Sequence, residues 1–117
     1  MPEHQTRKGK KTMKKILNGK TYNTSTAWLI CELPCTTEST RDFGWHSTSL
    51  YRTKKGAWFL AGEGGPMTMW AQNLGNNSTG WGEGIRVIDE TEARQHMENA
   101  NCDAEEFAAY GLAVEEG

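Results

Sequence analysis

The stretch LYRTKKGAWFLAGEGGPM, residues 50–67, predicts a β-hairpin that runs into a glycine corner. Leu50–Thr53 and Ala57–Ala61 are short runs of apolar, aromatic and β-branched residues, the composition of strands. Lys54-Lys55-Gly56 between them has the length and the glycine of a tight reversal. Gly62-Glu63-Gly64-Gly65-Pro66 then ends the regular pattern, because glycine and proline disfavour both strand and helix.

Outward from this anchor, Met13–Leu17 and Lys20–Tyr22 flank Asn18-Gly19, a strong two-residue hairpin signal. The spacing predicts a helix over 24–33, capped by Asn23 or Thr24 and stopped by Pro34. Residues 34–46 read as a loop in which Phe43 and Trp45 anchor onto the core. Met67–Leu74 predicts a short helical turn, and Gly75–Gly84 a glycine- and asparagine-rich loop around Trp81. Ile85–Ile88 is a strand. Asp89 with Glu92, and Asp103 with Glu106, are capping-box spacings that open two helices, over 90–100 and 103–110.

The expected architecture is α+β: a small antiparallel sheet built of hairpins, with two or three helices packed on one side. Its core residues are Leu17, Trp28, Ile30, Leu50, Trp58, Leu60, Ile88, Met97, Phe107 and Tyr110. At 117 residues the chain holds a single domain, 13–117, preceded by a basic arm over 1–12. Met13 is a candidate start site, since the compact pattern opens there.

The net charge of −2 conceals an asymmetry. Arg7, Lys8, Lys10, Lys11, Lys14, Lys15 and Lys20 stand against Glu3 at the head. At the tail, Asp89, Glu90, Glu92, Glu98, Asp103, Glu105, Glu106, Glu115 and Glu116 stand against Arg94. A basic head and an acidic tail point to recognition of a partner by one end, or to mutual neutralisation of the two. No window approaches the roughly 18 apolar residues of a membrane span, so no membrane partner is expected. No apolar run follows the basic head, and the three cysteines are an odd number; both fit reduced thiols in a bacterial cytoplasm.

Chemistry-bearing constellations are sparse. Cys31 and Cys35 have a spacing that zinc tolerates, but no second pair completes a ligand set, so neither metal nor cofactor is expected. His46, His96 and the thiols form no nucleophile motif, and no enzyme is expected. Gly62–Gly65 lacks the Lys-Ser/Thr of a nucleotide-binding loop. Five tryptophans are many for a domain of this size. Trp28 and Trp58 sit in apolar runs, whereas Trp45, Trp70 and Trp81 lie in turn contexts and are candidate partner contacts.

The residues NGKTYNTSTA (18–27), DFGW (42–45), LYRTKKGAWFLAGEGGPM (50–67), GNNS (75–78), GWGEGIRVID (80–89) and DAEEFAAYG (103–111) resemble a small family. Its members are uncharacterised bacterial proteins, frequent in phages and other mobile elements. The similarity runs from Met13 to Gly111, and the family lends no enzymatic residues. What the resemblance implies by context is a non-enzymatic inhibitor of the anti-CRISPR kind. Its partner would be a host protein or nucleoprotein complex such as a CRISPR effector.

On this reading Glu90, Glu92, Glu98, Asp103, Glu105 and Glu106 form an acidic surface that imitates DNA phosphates and, with Trp45, Trp70 and Trp81, contacts the partner. The alternative is a small nucleic-acid-binding or regulatory protein. There Arg7, Lys8, Lys10, Lys11, Lys14 and Lys15 would hold phosphates.

Overall fold

The computed structural model describes residues 12–35, 37, 39, 41–76 and 78–114. Its centre is a four-stranded antiparallel sheet of order β3-β4-β5-β8, with β3 at Trp28–Glu32, β4 at His46–Arg52, β5 at Trp58–Gly64 and β8 at Gly82–Ile88. Two small hairpins accompany it: β1 (Lys14–Leu17) with β2 (Lys20–Asn23), and β6 (Gln72–Gly75) with β7 (Ser78–Gly80). The chain closes with α1 (Glu90–Asn99) and α2 (Ala104–Ala109). The fold is therefore α+β with antiparallel sheets and two helices among the described residues.

The anchoring hairpin forms as its composition dictates. Leu50 pairs with Leu60 and Arg52 with Trp58. The turn between them is closed by Thr53 N donating to Ala57 O at 2.8 Å, while Gly56 takes a left-handed φ of 95°. Asn18-Gly19 likewise adopts left-handed backbone, φ 52° and 75°, which is what a two-residue hairpin requires.

Alternation along the central strands splits the sheet into two buried faces. On one, Leu50, Leu60, Trp58 and Ile88 cluster with Ala93 and Met97 of α1, then Phe107, Tyr110 and Leu112. On the other, Tyr51, Phe59, Ala61 and Ile85 cluster with Tyr22 and Ala27, while Leu17 and Leu29 pack at the margin. Phe59 is fully buried between Tyr22, edge-on at 5.7 Å, and Tyr51, stacked at 5.2 Å. Burying such a ring contributes about 1.5–3 kcal/mol. Leu17, Trp28 and Ile30 are half-buried and flank these clusters instead of filling them.

Four expectations are corrected. Residues 24–33 form no helix. Asn23 Oδ1 accepts from Ser25 N at 2.8 Å and Ser25 Oγ at 2.7 Å, which closes a turn where a cap was expected. Trp28–Glu32 then pairs with β4, with a bulge between Leu29 and Cys31. An apolar run this short is served as well by a sheet edge, which also satisfies its backbone.

The glycine corner is also absent, because Gly62, Glu63 and Gly64 continue β5 and pair with Gly84, Glu83 and Gly82. Residues 66–70 make turns, not a helix, since the Thr68 hydroxyl donates to Gly65 O at 2.8 Å and accepts from Trp70 N at 3.2 Å. Finally, the loop expected over 75–84 holds part of the β6–β7 hairpin and the start of β8.

Candidate interaction surfaces

The glycine-rich end of the sheet gathers side chains from three separate segments. Asp42 organises the first: its carboxylate accepts from Gly44 N at 2.8 Å and its carbonyl from Trp45 N at 3.0 Å. The next segment is bound to it backbone to backbone, with Gly65 N donating to Trp45 O at 2.9 Å and Met67 N to Phe43 O at 3.0 Å. Thr79 Oγ1 donates to Pro66 O at 3.2 Å and ties in β7. Trp45 and Trp81 then meet with ring centres 6.3 Å apart and planes tilted by 42°.

These bonds hold a set of apolar side chains in solvent. Met67 is 78% exposed, Phe43 and Leu74 each 60%, and Trp81 44%. Met69 belongs to the same set. Phe43 is thus not the core anchor expected of it. Isolated exposed apolar residues are ordinary, but several carried on turns tied to one another are candidates for an interaction site.

Trp70 does not belong to this surface. It is 7% exposed, its Nε1 donates to the buried Thr48 Oγ1 at 2.7 Å, and its ring lies over Gly84 and beside Gly62. Gly62 of β5 and Gly84 of β8 are therefore the floor of a slot for an indole, which explains why the strands carry glycine there. Trp45 is half-buried beneath Trp81.

The helical carboxylates remain on the outside, yet most have local duties. Asp89 accepts from Glu92 N at 2.8 Å, and Glu90 pairs with Arg94 at 3.4 Å. Glu92, half-buried, turns to His96 at 3.2 Å. At α2 the capping box closes both ways, between Asp103 and Glu106. Glu98 and Glu105 are exposed. Surface pairs and caps of this kind leave carboxylate oxygens open to solvent. Of the basic arm, Lys14 and Lys15 stand exposed on β1, while Arg7, Lys8, Lys10 and Lys11 lie outside the described residues.

Cys31 of β3 and Cys102, between the helices, are in side-chain contact against the helical core. Burial, then the neighbouring Cys102 sulfur, pushes the Cys31 thiol up to about 12, so it stays protonated at neutral pH. Cys35 lies apart, its Sγ accepting from His46 N at 3.5 Å. Among the described residues no three His, Cys, Asp or Glu side chains gather as a metal site, and no helix is long and apolar enough to cross a membrane.

Of the side chains at this end, the sequence singled out Trp45 and Trp81 as candidates and passed over Met67, Met69 and Leu74. The available signal was large apolar side chains standing alone among Gly, Pro and Asn, where no periodic pattern claims them. No protein-family model, no curated protein and no solved structure matches this chain.

Proposed function

We infer that this chain is a non-enzymatic binding protein whose partner is another protein, engaged through the apolar end of the sheet. The observation that carries this reading is the fixed, exposed set Phe43, Met67, Met69, Leu74 and Trp81. Aromatic residues and methionine are enriched at the centres of protein interfaces, and a few such side chains supply most of the binding energy. The exposed carboxylates of Glu90, Glu98, Glu105 and Glu106 on the two helices add an acidic surface suited to a basic partner.

The narrower reading follows from the resemblance. The chain would be an inhibitor encoded by a mobile element, acting in the cytoplasm of a bacterial host. Its target would be a nucleoprotein effector such as a CRISPR complex, denied access to DNA. The exposed helical carboxylates favour this version, because an arginine that holds a phosphate can hold a carboxylate in the same paired geometry.

Capture from a bacterium with active defence systems tests both versions. The wild-type chain should retain a basic nucleoprotein, and the double variant Trp81→Ala/Met67→Ser should lose it. Undiminished capture by that variant would remove the apolar end from the interface. Undiminished capture after Glu98, Glu105 and Glu106 are changed to lysine would leave the interface and discard phosphate mimicry.

A further inference from the structure

At the other end of the β4–β5 ladder the molecule is basic. The loop after β4 and the β1–β2 hairpin enclose a cleft of about 490 Å³. Lys20, Lys54 and Lys55 line it, with Thr21, Thr26 and Thr53 between them, and no carboxylate contributes to its wall among the described residues. All three lysines are exposed, and none has a carboxylate partner among the described residues. The shape is held by the two turns themselves, Asn18-Gly19 and Thr53–Ala57, whose glycines take φ of 75° at Gly19 and 95° at Gly56. Thr53 Oγ1 already accepts from Ala57 N at 3.0 Å, which leaves its hydroxyl proton to donate outward.

We propose that this cleft binds the phosphate groups of a phosphorylated ligand, either a free polyphosphate compound or a nucleic-acid strand, through Lys20, Lys54 and Lys55. Three ammonium groups without a carboxylate partner among the described residues line one concavity, where a multiply charged anion can meet all three. Lysine suits the task as a mobile point charge that meets phosphate oxygens from several directions. The volume exceeds that of a single ion and falls within the range of small-ligand sites. This site is independent of the apolar end. It also differs from the head-end cluster of Arg7, Lys8, Lys10 and Lys11, because its cations come from two folded turns.

The test uses the full chain with inorganic tripolyphosphate and a ten-nucleotide deoxythymidine strand, followed by calorimetry and by backbone amide shifts. Tripolyphosphate should bind saturably and move the amides of Gly19, Thr21, Thr53 and Gly56. The exposed-surface variant Lys20→Ala/Lys54→Ala/Lys55→Ala should weaken it by about tenfold or more. Arg41→Gln/Arg86→Gln, which removes two cations outside the cleft, should not change it by more than about twofold.

The strand arm identifies the source. Tighter binding of the strand than of tripolyphosphate, with a log–log salt slope near −2 that flattens in the triple lysine variant, assigns nucleic acid. Strand binding no tighter than that of tripolyphosphate assigns a free phosphate compound. Absence of tripolyphosphate binding, or full binding by the triple lysine variant, overturns the proposal.

Discussion

Gly62 and Gly84 face each other across β5 and β8, yet they do different work under Trp70. A Cβ on Gly62 would lie 2.3 Å from Ser47 O and 2.9 Å from Thr48 Cα, both backbone atoms of the neighbouring strand. A Cβ on Gly84 would meet only the Trp70 ring, at an ordinary 3.7 Å. Gly62→Ala should therefore cost about 1–3 kcal/mol through overpacking. Gly84→Ala should be neutral or stabilising by up to about 1 kcal/mol, since alanine suits a strand better than glycine does. Urea unfolding of the two variants separates them. Equal midpoints would mean that the slot beside Trp70 is not tight.

The thiol of Cys31 makes a second statement at this scale. Its value rises from the ordinary 9.0 to about 12, and its surroundings include Cys102, Glu106 and Tyr110. Below pH 9 the thiol is protonated in both folded and unfolded chains, and its contribution is complete. Between 9 and 12 the unfolded chain loses this proton while the folded chain keeps it. Stability must then fall as pH rises across that window. Cys102 and Tyr110 are shifted upward as well, so they act in the same direction. The urea midpoint of the wild-type chain should drop more between pH 8 and pH 10.5 than that of Cys31→Ala. Parallel drops in the two proteins would assign the alkaline loss to other groups.

At the scale of elements, what was legible depended on whether the deciding contacts were local. The Asn18-Gly19 hairpin and the two helices were legible because turn and cap chemistry lie within a few residues of each other. Asp89 and Asp103 do accept from Glu92 N and Glu106 N. The run Trp28-Leu29-Ile30-Cys31 was not decidable, because continuous apolar residues have no period to choose helix or strand. Its fate was set by the open edge of β4, which is distant in sequence.

The continuation of β5 through Gly62 and Gly64 was hidden for a similar reason. Glycine disfavours a strand by local propensity, and the atoms that crowd the space left by the missing side chains come from elsewhere in the chain: Ser47, Thr48 and Trp70 at Gly62, and Thr68, His46 and Trp45 at Gly64. The same distance hid the surface. Trp45 and Trp81 could be suspected singly, but their meeting, and the tying of the segments that carry Phe43, Met67 and Thr79, needed the bonds made by Phe43, Trp45 and Pro66.

At the scale of the whole molecule, the two candidate sites sit at opposite ends of the central ladder. Seven residues of β4 separate them, which is about 20 Å of extended chain. Changes that far apart, with no shared contacts, are expected to act additively. Trp81→Ala/Met67→Ser should therefore leave tripolyphosphate affinity unchanged, and the triple lysine variant should leave capture of a protein partner unchanged.

The acidic helices add a kinetic signature. Exposed charge steers encounter, whereas packed apolar contacts hold the complex once it has formed. With a captured partner on a biosensor surface, charge reversal at Glu98, Glu105 and Glu106 should slow association and reduce its salt dependence. The apolar double variant should speed dissociation at nearly constant association rate. If charge reversal changed dissociation alone, the carboxylates would lie inside the interface and not beside it. The centre of recognition would then move from the glycine-rich end of the sheet to the face of the two helices.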